Sequence, residues 1–155
     1  MSQSLTDQRY GFRSIVGLLI FLGCAGLVVF DSVVRLGAAG PDMEIAFTRG
    51  LSTAADFDDT VMEIVRRMQA ESDLVVTLRG HTGTLGDADI NKELGRDRAQ
   101  KVKDSIVAQG IVPGRISVTG VGGEEPLSQE GGESGRVYQR RLARVQAVFE
   151  IGDVR

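Results

Sequence analysis

The sequence predicts an α/β (α+β) protein in which helices pack on one mixed β-sheet, preceded by a single transmembrane helix. Three observations support this fold class. An uncharged apolar run occupies residues 15–30. After residue 42, segments that alternate apolar and polar residues are interspersed with segments that have apolar residues at helical spacing. Their order is βαβαβ-loop-β, and a layer of helices on one sheet is the economical way to bury these apolar faces.

The apolar run reads IVGLLIFLGCAGLVVF and lies between Arg13 and Asp31. As a helix it spans about 24 Å, and counting on to Arg35 it crosses a hydrocarbon core of about 30 Å. A helix that is apolar on every side has no face to present to water. We therefore assign residues 14–36 to a membrane-spanning helix, with Asp31 at the interface rather than in an ion path.

Two other interpretations of the run are open. The small residues GAAG at 37–40 resemble a signal-peptide cleavage site, although Arg35 separates them from a run that is long for a signal. Cys24 offers a site for lipid acylation, but the residues before it match a lipobox poorly and those after it are apolar. Length and charge favour the uncleaved anchor over both.

Flanking charges predict the orientation of the anchor. Arg9 and Arg13 precede it, whereas the stretch after it is acidic. The positive-inside rule then makes residues 1–13 a cytoplasmic tail. Residues 37–42 form a short linker, and residues 43–155 form a folded domain outside the cytoplasm.

Within this domain, strands are predicted in MEIAFT, DLVVTLRG, RISVTG and LARVQAVFEI, and helices in DFDDTVMEIVRRMQAE and in residues 88–109. The glycine-rich residues 122–135 are predicted to be a loop. In the two helices the predicted core residues are Phe57, Val61, Ile64, Val65, Met68, Ile90, Leu94, Ala99, Val102 and Ile106. In the last strand they are Val145, Ala147, Phe149 and Ile151.

Composition narrows the function classes. A net charge of −3 and the lack of a dense basic run argue against a nucleic-acid partner. One Cys and one His are too few for a structural zinc site, so we expect neither a metal nor another cofactor. The sequence contains no P-loop, nucleophile elbow or HExxH motif, and we expect no enzymatic activity.

Several segments in a fixed order resemble the OmpA-like C-terminal domain over roughly residues 43–151. The segment GIVPGRISVTGVGGEEP is similar to a family motif, and QRRLARVQAVFEI is similar to the family's Asn-Arg-Arg and final strand, with Gln139 in the Asn place. The family's loop-and-helix motif is matched by Gly80, His81, Thr82, Gly83, Gly86, Asn91, Leu94, Arg98 and Ala99. The resemblance implies the OmpA-like fold and a peptidoglycan-binding domain in the periplasm.

The resemblance also implies a ligand and its contacts. Family members recognise the diaminopimelate residue of the peptidoglycan stem peptide. An Asp carboxylate contacts the ligand's ammonium, and an Arg contacts its carboxylate. In this sequence Gly83 stands in the Asp place and Arg98 in the Arg place. The implied site therefore keeps the cation and lacks the aligned anion.

Arg98 can offer a guanidinium fork to a carboxylate. Asn91 lies two turns earlier on the same helical face, and Gly95 between them is expected to leave that face uncluttered. Thr82 and the amides at the helix start add neutral contacts. Losing one charge-assisted hydrogen bond, here at Gly83, costs about 1.5–3 kcal/mol of binding free energy.

Two nearby acids offer a replacement for that carboxylate. Asp87 and Asp89 both lie at the predicted start of a helix. A cap and the helix dipole favour Asp there without any ligand, so we expect capping more than compensation.

The leading hypothesis is a non-catalytic inner-membrane protein, in contact with membrane lipid, that tethers the membrane or a membrane complex to peptidoglycan. Its site residues would be Arg98, Asn91, Thr82, Gly83 and Asp87. The alternative is an accessory subunit or protein-interaction module whose anchor packs against the transmembrane helices of a larger complex. A stator of an ion-driven motor is a third interpretation, which the position of Asp31 disfavours.

Overall fold

The computed structural model describes residues 41–152. These residues form five strands, three α-helices and one 3₁₀ turn. In chain order they are β1 (Met43–Arg49), β2 (Ser52–Thr53), α1 (Phe57–Ala70), β3 (Leu74–His81), α2 (Ala88–Ala108), the 3₁₀ turn (Pro113–Arg115), β4 (Ile116–Gly122), α3 (Gly135–Leu142) and β5 (Arg144–Ile151). The predicted class, helices on one mixed sheet, is confirmed.

The strands form a single sheet in the order β2-β1-β5-β3-β4. β5 runs antiparallel to both of its neighbours, β1 and β3, whereas β3 and β4 are parallel. The parallel pair needs a crossover, which α2 supplies. β3 therefore lies inside the sheet, flanked by β5 and β4, as its run of β-branched residues predicts.

Helix α1 packs through the apolar stripe that its sequence predicts. Its buried residues are Phe57, Val61, Ile64, Val65 and Met68. The helix contacts β1, β3 and α2. Arg115 holds its C-terminal end, because its guanidinium donates to the backbone carbonyls of Met68 at 2.8 Å and Leu74 at 2.9 Å. The bond to Met68 satisfies a carbonyl group that the helix end leaves without a partner, and the bond to Leu74 ties the helix end to the start of β3.

Helix α2 begins and ends as predicted but packs differently from the prediction. Ala99, Val102 and Ile106 are buried, whereas Ile90 is 67% exposed. The expectation that Ile90 faces the core is wrong because Ile90 precedes the buried Ala99 by about two and a half helical turns and therefore lies on the opposite side of the helix. Gly110, with a φ of 92°, ends the helix region as its sequence indicates.

Helix α3 was not predicted, since its residues GRVYQRRL carry only one buried side chain, Leu142. Polar contacts hold it in place. Ser134 caps its first turn, and Tyr138 donates its hydroxyl to the Leu127 carbonyl at 2.9 Å. Arg141 donates to the Glu133 carboxylate at 3.0 Å, and this hydrogen bond lowers the pKa of Glu133. The glycine-rich segment is therefore a loop that ends in a helix.

Two smaller differences concern strands. β2 contains only two residues and pairs with β1 across a bulge, which is too short for any periodicity to reveal. Ile151, predicted to face the core, is 45% exposed because it lies at the end of β5. The remaining predicted core residues of that strand, Val145, Ala147 and Phe149, are buried.

The predicted membrane helix at residues 14–36, the tail at 1–13 and most of the linker lie outside the described residues. Between residues 41 and 152 no helix combines the length and the apolar character that crossing a bilayer requires.

Candidate functional site

The loop between β3 and α2, residues 82–87, is held at both ends. The backbone N–H of Thr82 donates to the Gly122 carbonyl at 2.9 Å, which fastens the start of the loop to the end of β4. The Asn91 side-chain amide donates to the Leu85 carbonyl at 3.0 Å. Gly86 has a φ of 96°, where a side chain would be strained. Asn91, predicted as a ligand contact, thus shapes the loop in this structure.

Glycines bring α2 into backbone contact with β3. A Cβ on Gly80 would overlap the Gly95 carbonyl, and a Cβ on Gly95 would overlap the Gly80 carbonyl. Gly95 therefore serves helix–strand packing, and the expectation that it clears a ligand face is wrong. Gly120 on β4 also allows close helix–strand packing, because a Cβ at this position would overlap the Lys92 carbonyl.

Arg98 is nearly enclosed, with 4% of its surface exposed. Its Nε donates to the Gly50 carbonyl at 2.8 Å and its Nη1 to the His81 carbonyl at 2.9 Å. The guanidinium also lies over the Phe47 ring, 5.4 Å from the centroid. Burial lowers the pKa of Arg98, although an arginine remains charged at neutral pH. Arg98 thus joins the hairpin of β1 and β2 to the end of β3.

These contacts leave part of the guanidinium without an acceptor among residues 41–152. Within residues 41–152, Nη2 of Arg98 makes no hydrogen bond. Any carboxylate contact therefore falls to Nη2 and the remaining N–H of Nη1. Thr82 is also buried, and its hydroxyl donates to the Gly83 carbonyl at 3.1 Å, so this side chain supports the loop from beneath.

Asp87 caps α2. One of its carboxylate oxygens accepts from the backbone N–H of Asp89 at 2.9 Å and of Ile90 at 3.0 Å. This is the role that helix-start chemistry predicts for an aspartate. Asp89 lies in the first turn and is exposed. The Asp87 carboxylate is therefore hydrogen-bonded to the start of α2.

Gln139 on α3 reaches the loop, although it is not among the site residues predicted from the sequence. Its Oε1 accepts from the backbone N–H of Thr84 at 2.9 Å, and its Nε2 donates to the Thr84 hydroxyl at 2.9 Å. A Cβ on Gly83 would overlap that same Oε1. The sequence carried a sign of this contact, because Gln139 and Gly83 both depart from the residue types that the resemblance implies.

His81, at the end of β3, is 1% exposed, and neither of its ring nitrogens has a hydrogen-bond partner among residues 41–152. Burial is the main cause that lowers its pKa, and the positive charges of Arg144 and Arg79 add to the effect. The ring is therefore neutral at pH 7. Its carbonyl, rather than its ring, takes part in the loop by accepting from Arg98.

A small cavity of about 140 Å³ opens beside the loop, lined by Thr84, Gly86, Ala88, Asn91, Gly123 and Glu124. Glu124 is paired with Lys92 at 2.7 Å on the exposed rim. The described residues contain no cluster of His, Cys, Asp and Glu suited to a metal ion. The loop thus offers backbone amides and side-chain amides beside one buried cation.

The OmpA family model matches residues 50–140, which include this loop, Arg98 and Gln139. The chain belongs to the OmpA family. Outer membrane porin F of Pseudomonas fluorescens is 37% identical over 67 residues, which is 43% of this chain and 21% of the porin. Peptidoglycan-binding protein ArfA of Mycobacterium tuberculosis is 29% identical over 120 residues, which is 77% of this chain and 35% of that protein.

Solved OmpA-like structures have the same fold. The peptidoglycan-associated lipoprotein of Burkholderia pseudomallei matches with a TM-score of 0.61 and 17% identity. The match covers 69% of this chain and 89% of the lipoprotein. The C-terminal domain of MotB from Helicobacter pylori matches with a TM-score of 0.59 and 19% identity. The match covers 70% of this chain and 84% of the MotB domain. At such identities the likeness concerns the fold alone. The chain spans only about a fifth to a third of the length of porin F and ArfA.

Proposed function

We propose that this OmpA family protein is a non-catalytic peptidoglycan-binding protein, anchored in the bacterial inner membrane by residues 14–36 with its N-terminus in the cytoplasm. Its domain would lie in the periplasm and tether the membrane, or a complex within it, to the wall. The observation that carries the proposal is the loop of residues 82–87 beside Arg98, within a match to a family that includes a relative named for peptidoglycan binding.

The proposed ligand is the stem peptide, with its diaminopimelate carboxylate at the free edge of the Arg98 guanidinium. Two backbone carbonyls fix that guanidinium in position, so it need not be ordered when the ligand binds. Asn91, Thr82, Gly83 and Asp87 contribute by holding the loop amides in place. The affinity would be modest, since no side chain at Gly83 meets the ligand's ammonium.

Retention of the full chain, in detergent, on purified sacculi tests this proposal. The wild type should be retained and Arg98→Ala should lose most of that retention. Arg96→Ala is the matched control, since Arg96 is an exposed arginine on the same helix. Circular dichroism checks the fold of each variant, and the neutral Arg98→Gln serves where Arg98→Ala does not fold. Equal retention of folded Arg98 variants and wild type would remove Arg98 from the site.

A second candidate function is a protein-interaction module of a larger membrane complex. It is favoured by two exposed apolar side chains, Leu85 in the loop at 73% exposure and Ile90 in the first turn of α2 at 67%. Native extraction in mild detergent separates the two functions. A stoichiometric partner lost in Leu85→Ser, together with no retention on sacculi, would favour the module.

A further inference from the structure

Gly83 has a backbone conformation that any residue can adopt, since it is not among the glycines with positive φ. What excludes a side chain at this position is Gln139, whose Oε1 occupies the space of a Cβ. The obstacle is the end of a side chain on α3 rather than backbone. Gly83 and Gln139 are therefore steric partners, and the identity of one decides what the other position can hold.

The Gln139 amide is fixed where it is. Its oxygen and its nitrogen both bond to Thr84, at 2.9 Å each. The helix that carries it is itself tied down, because Arg141 donates to the Glu133 carboxylate and to the Ser128 carbonyl. Moving the amide away would break two hydrogen bonds. The amide is therefore a fixed part of the surface beside the loop.

The fixed amide makes this part of the protein surface neutral. Asp87 accepts from two backbone N–H groups of α2, and Glu124 is paired with Lys92. A free ammonium gains an ion pair, which is stronger than its hydrogen bond to a neutral acceptor, only from a carboxylate that is placed beside it. An acylated amine, in contrast, is a neutral N–H donor that needs no such partner.

We propose that Gln139 sets the amine preference of the site: by filling the space beside Gly83 with a neutral amide, it lets the site take a stem peptide with an acylated amine, as in a peptide cross-link, about as well as one with a free amine. This inference rests on the proposed peptidoglycan-binding function. It makes Gln139 a specificity-determining residue, and it makes cross-linked and uncross-linked wall comparable ligands.

Two synthetic stem peptides test the inference, identical except that the diaminopimelate side-chain amine is free in one and acetylated in the other. Calorimetry with the full chain in detergent should give the wild type dissociation constants within about threefold of each other. Gly83→Asp with Gln139→Ala introduces a carboxylate and clears its space. The double variant should prefer the free amine by roughly ten- to a hundredfold. Gly83→Asp alone must displace the amide and should show a smaller preference.

A matched control makes the same two exchanges elsewhere. Gly131→Asp with Gln129→Ala adds a carboxylate at an open glycine and removes an exposed glutamine. Its peptide preference should equal that of the wild type. A wild type that prefers the free amine more than tenfold overturns the inference, as does a Gly83→Asp single variant that equals the double variant.

Failure of the proposed function would look different. A wild type that is not retained on sacculi and binds neither peptide removes that function. The double variant then decides the inference separately. If it gains binding of the free-amine peptide, the steric role of Gln139 is supported; if it binds neither peptide, the inference falls as well.

Discussion

Helices α1 and α2 pack on the same sheet by different means. α1 inserts large apolar side chains, among them Ile64 and Met68, which are fully buried. α2 places its first half against the strands through backbone, where Gly80 faces Gly95. The first contact tolerates small adjustments because side chains can change rotamer, whereas the second cannot adjust without separating helix and strand. The loop of residues 82–87 begins at this rigid contact.

The rigid contact predicts the largest effect of a single substitution. Gly80→Val would place a branched side chain where the Gly95 carbonyl lies, so it should cost more than about 4 kcal/mol of unfolding free energy, or prevent folding. Urea unfolding followed by circular dichroism measures it. Gly131→Val, at a glycine with open space around it, should stay within about 0.5 kcal/mol of wild type.

The side-chain contact should be less sensitive. Ile64→Ala leaves a cavity under α1, which should cost about 3 kcal/mol of unfolding free energy in the same assay. Met62→Ala, on the exposed side of that helix, should change it by less than about 0.5 kcal/mol. A cost for Ile64→Ala that exceeds that of Gly80→Val would reverse the comparison between the two helices.

A still smaller effect is expected at the start of α2. Asp87→Ala removes the acceptor for two backbone N–H groups and should cost about 1 kcal/mol. Glu93→Ala, an exposed acid farther along the helix, is the control and should cost little. If Asp87→Ala leaves stability unchanged but weakens binding to sacculi, the carboxylate serves the ligand rather than the helix.

The smallest effect concerns pH. His81 is the only histidine, and its folded pKa is lowered, so stability is full above the unfolded value of 6.5. Below pH 6.5 the imidazole of the unfolded chain binds a proton more readily than the buried imidazole of the folded chain. The free energy of unfolding therefore falls as the pH decreases. From pH 7 to 6 the loss should be below about 1 kcal/mol, because one proton changes stability by at most about 1.4 kcal/mol per unit. His81→Leu should remove this slope in urea titrations at both pH values.

The different packing of α1 and α2 on the sheet also explains which parts of the fold the sequence could predict. The stripe of α1 is visible because burial by side chains imposes a helical period on the sequence. The packing of α2 is hidden because a backbone contact leaves only glycines, and Ile90 then completes an apparent stripe without being buried. Helix α3 escaped prediction for a related reason, since polar bonds such as Arg141 to Glu133 leave no apolar period.

The candidate site was predictable in part. Asp87 at the helix start follows from local capping chemistry, which needs only a few neighbouring residues. The contact of Gln139 with Thr84 joins residues that are 55 positions apart, and no local rule relates them. Likewise, the enclosure of Arg98 between two carbonyls depends on how the hairpin of Gly50 meets the end of β3, which only the assembled fold defines.

The strand directions have a mechanical consequence for a tether. β1 and β3 both run antiparallel to β5, with Met43 and Leu78 on either side of Ala147. A load that enters before Met43 and leaves through the loop after β3 therefore pulls along the strands. Such shear strains all the hydrogen bonds between β1 and β5 at once, whereas a perpendicular pull would open them one after another. In the proposed tether, the sheet would thus be loaded in its stronger direction when wall and membrane are drawn apart.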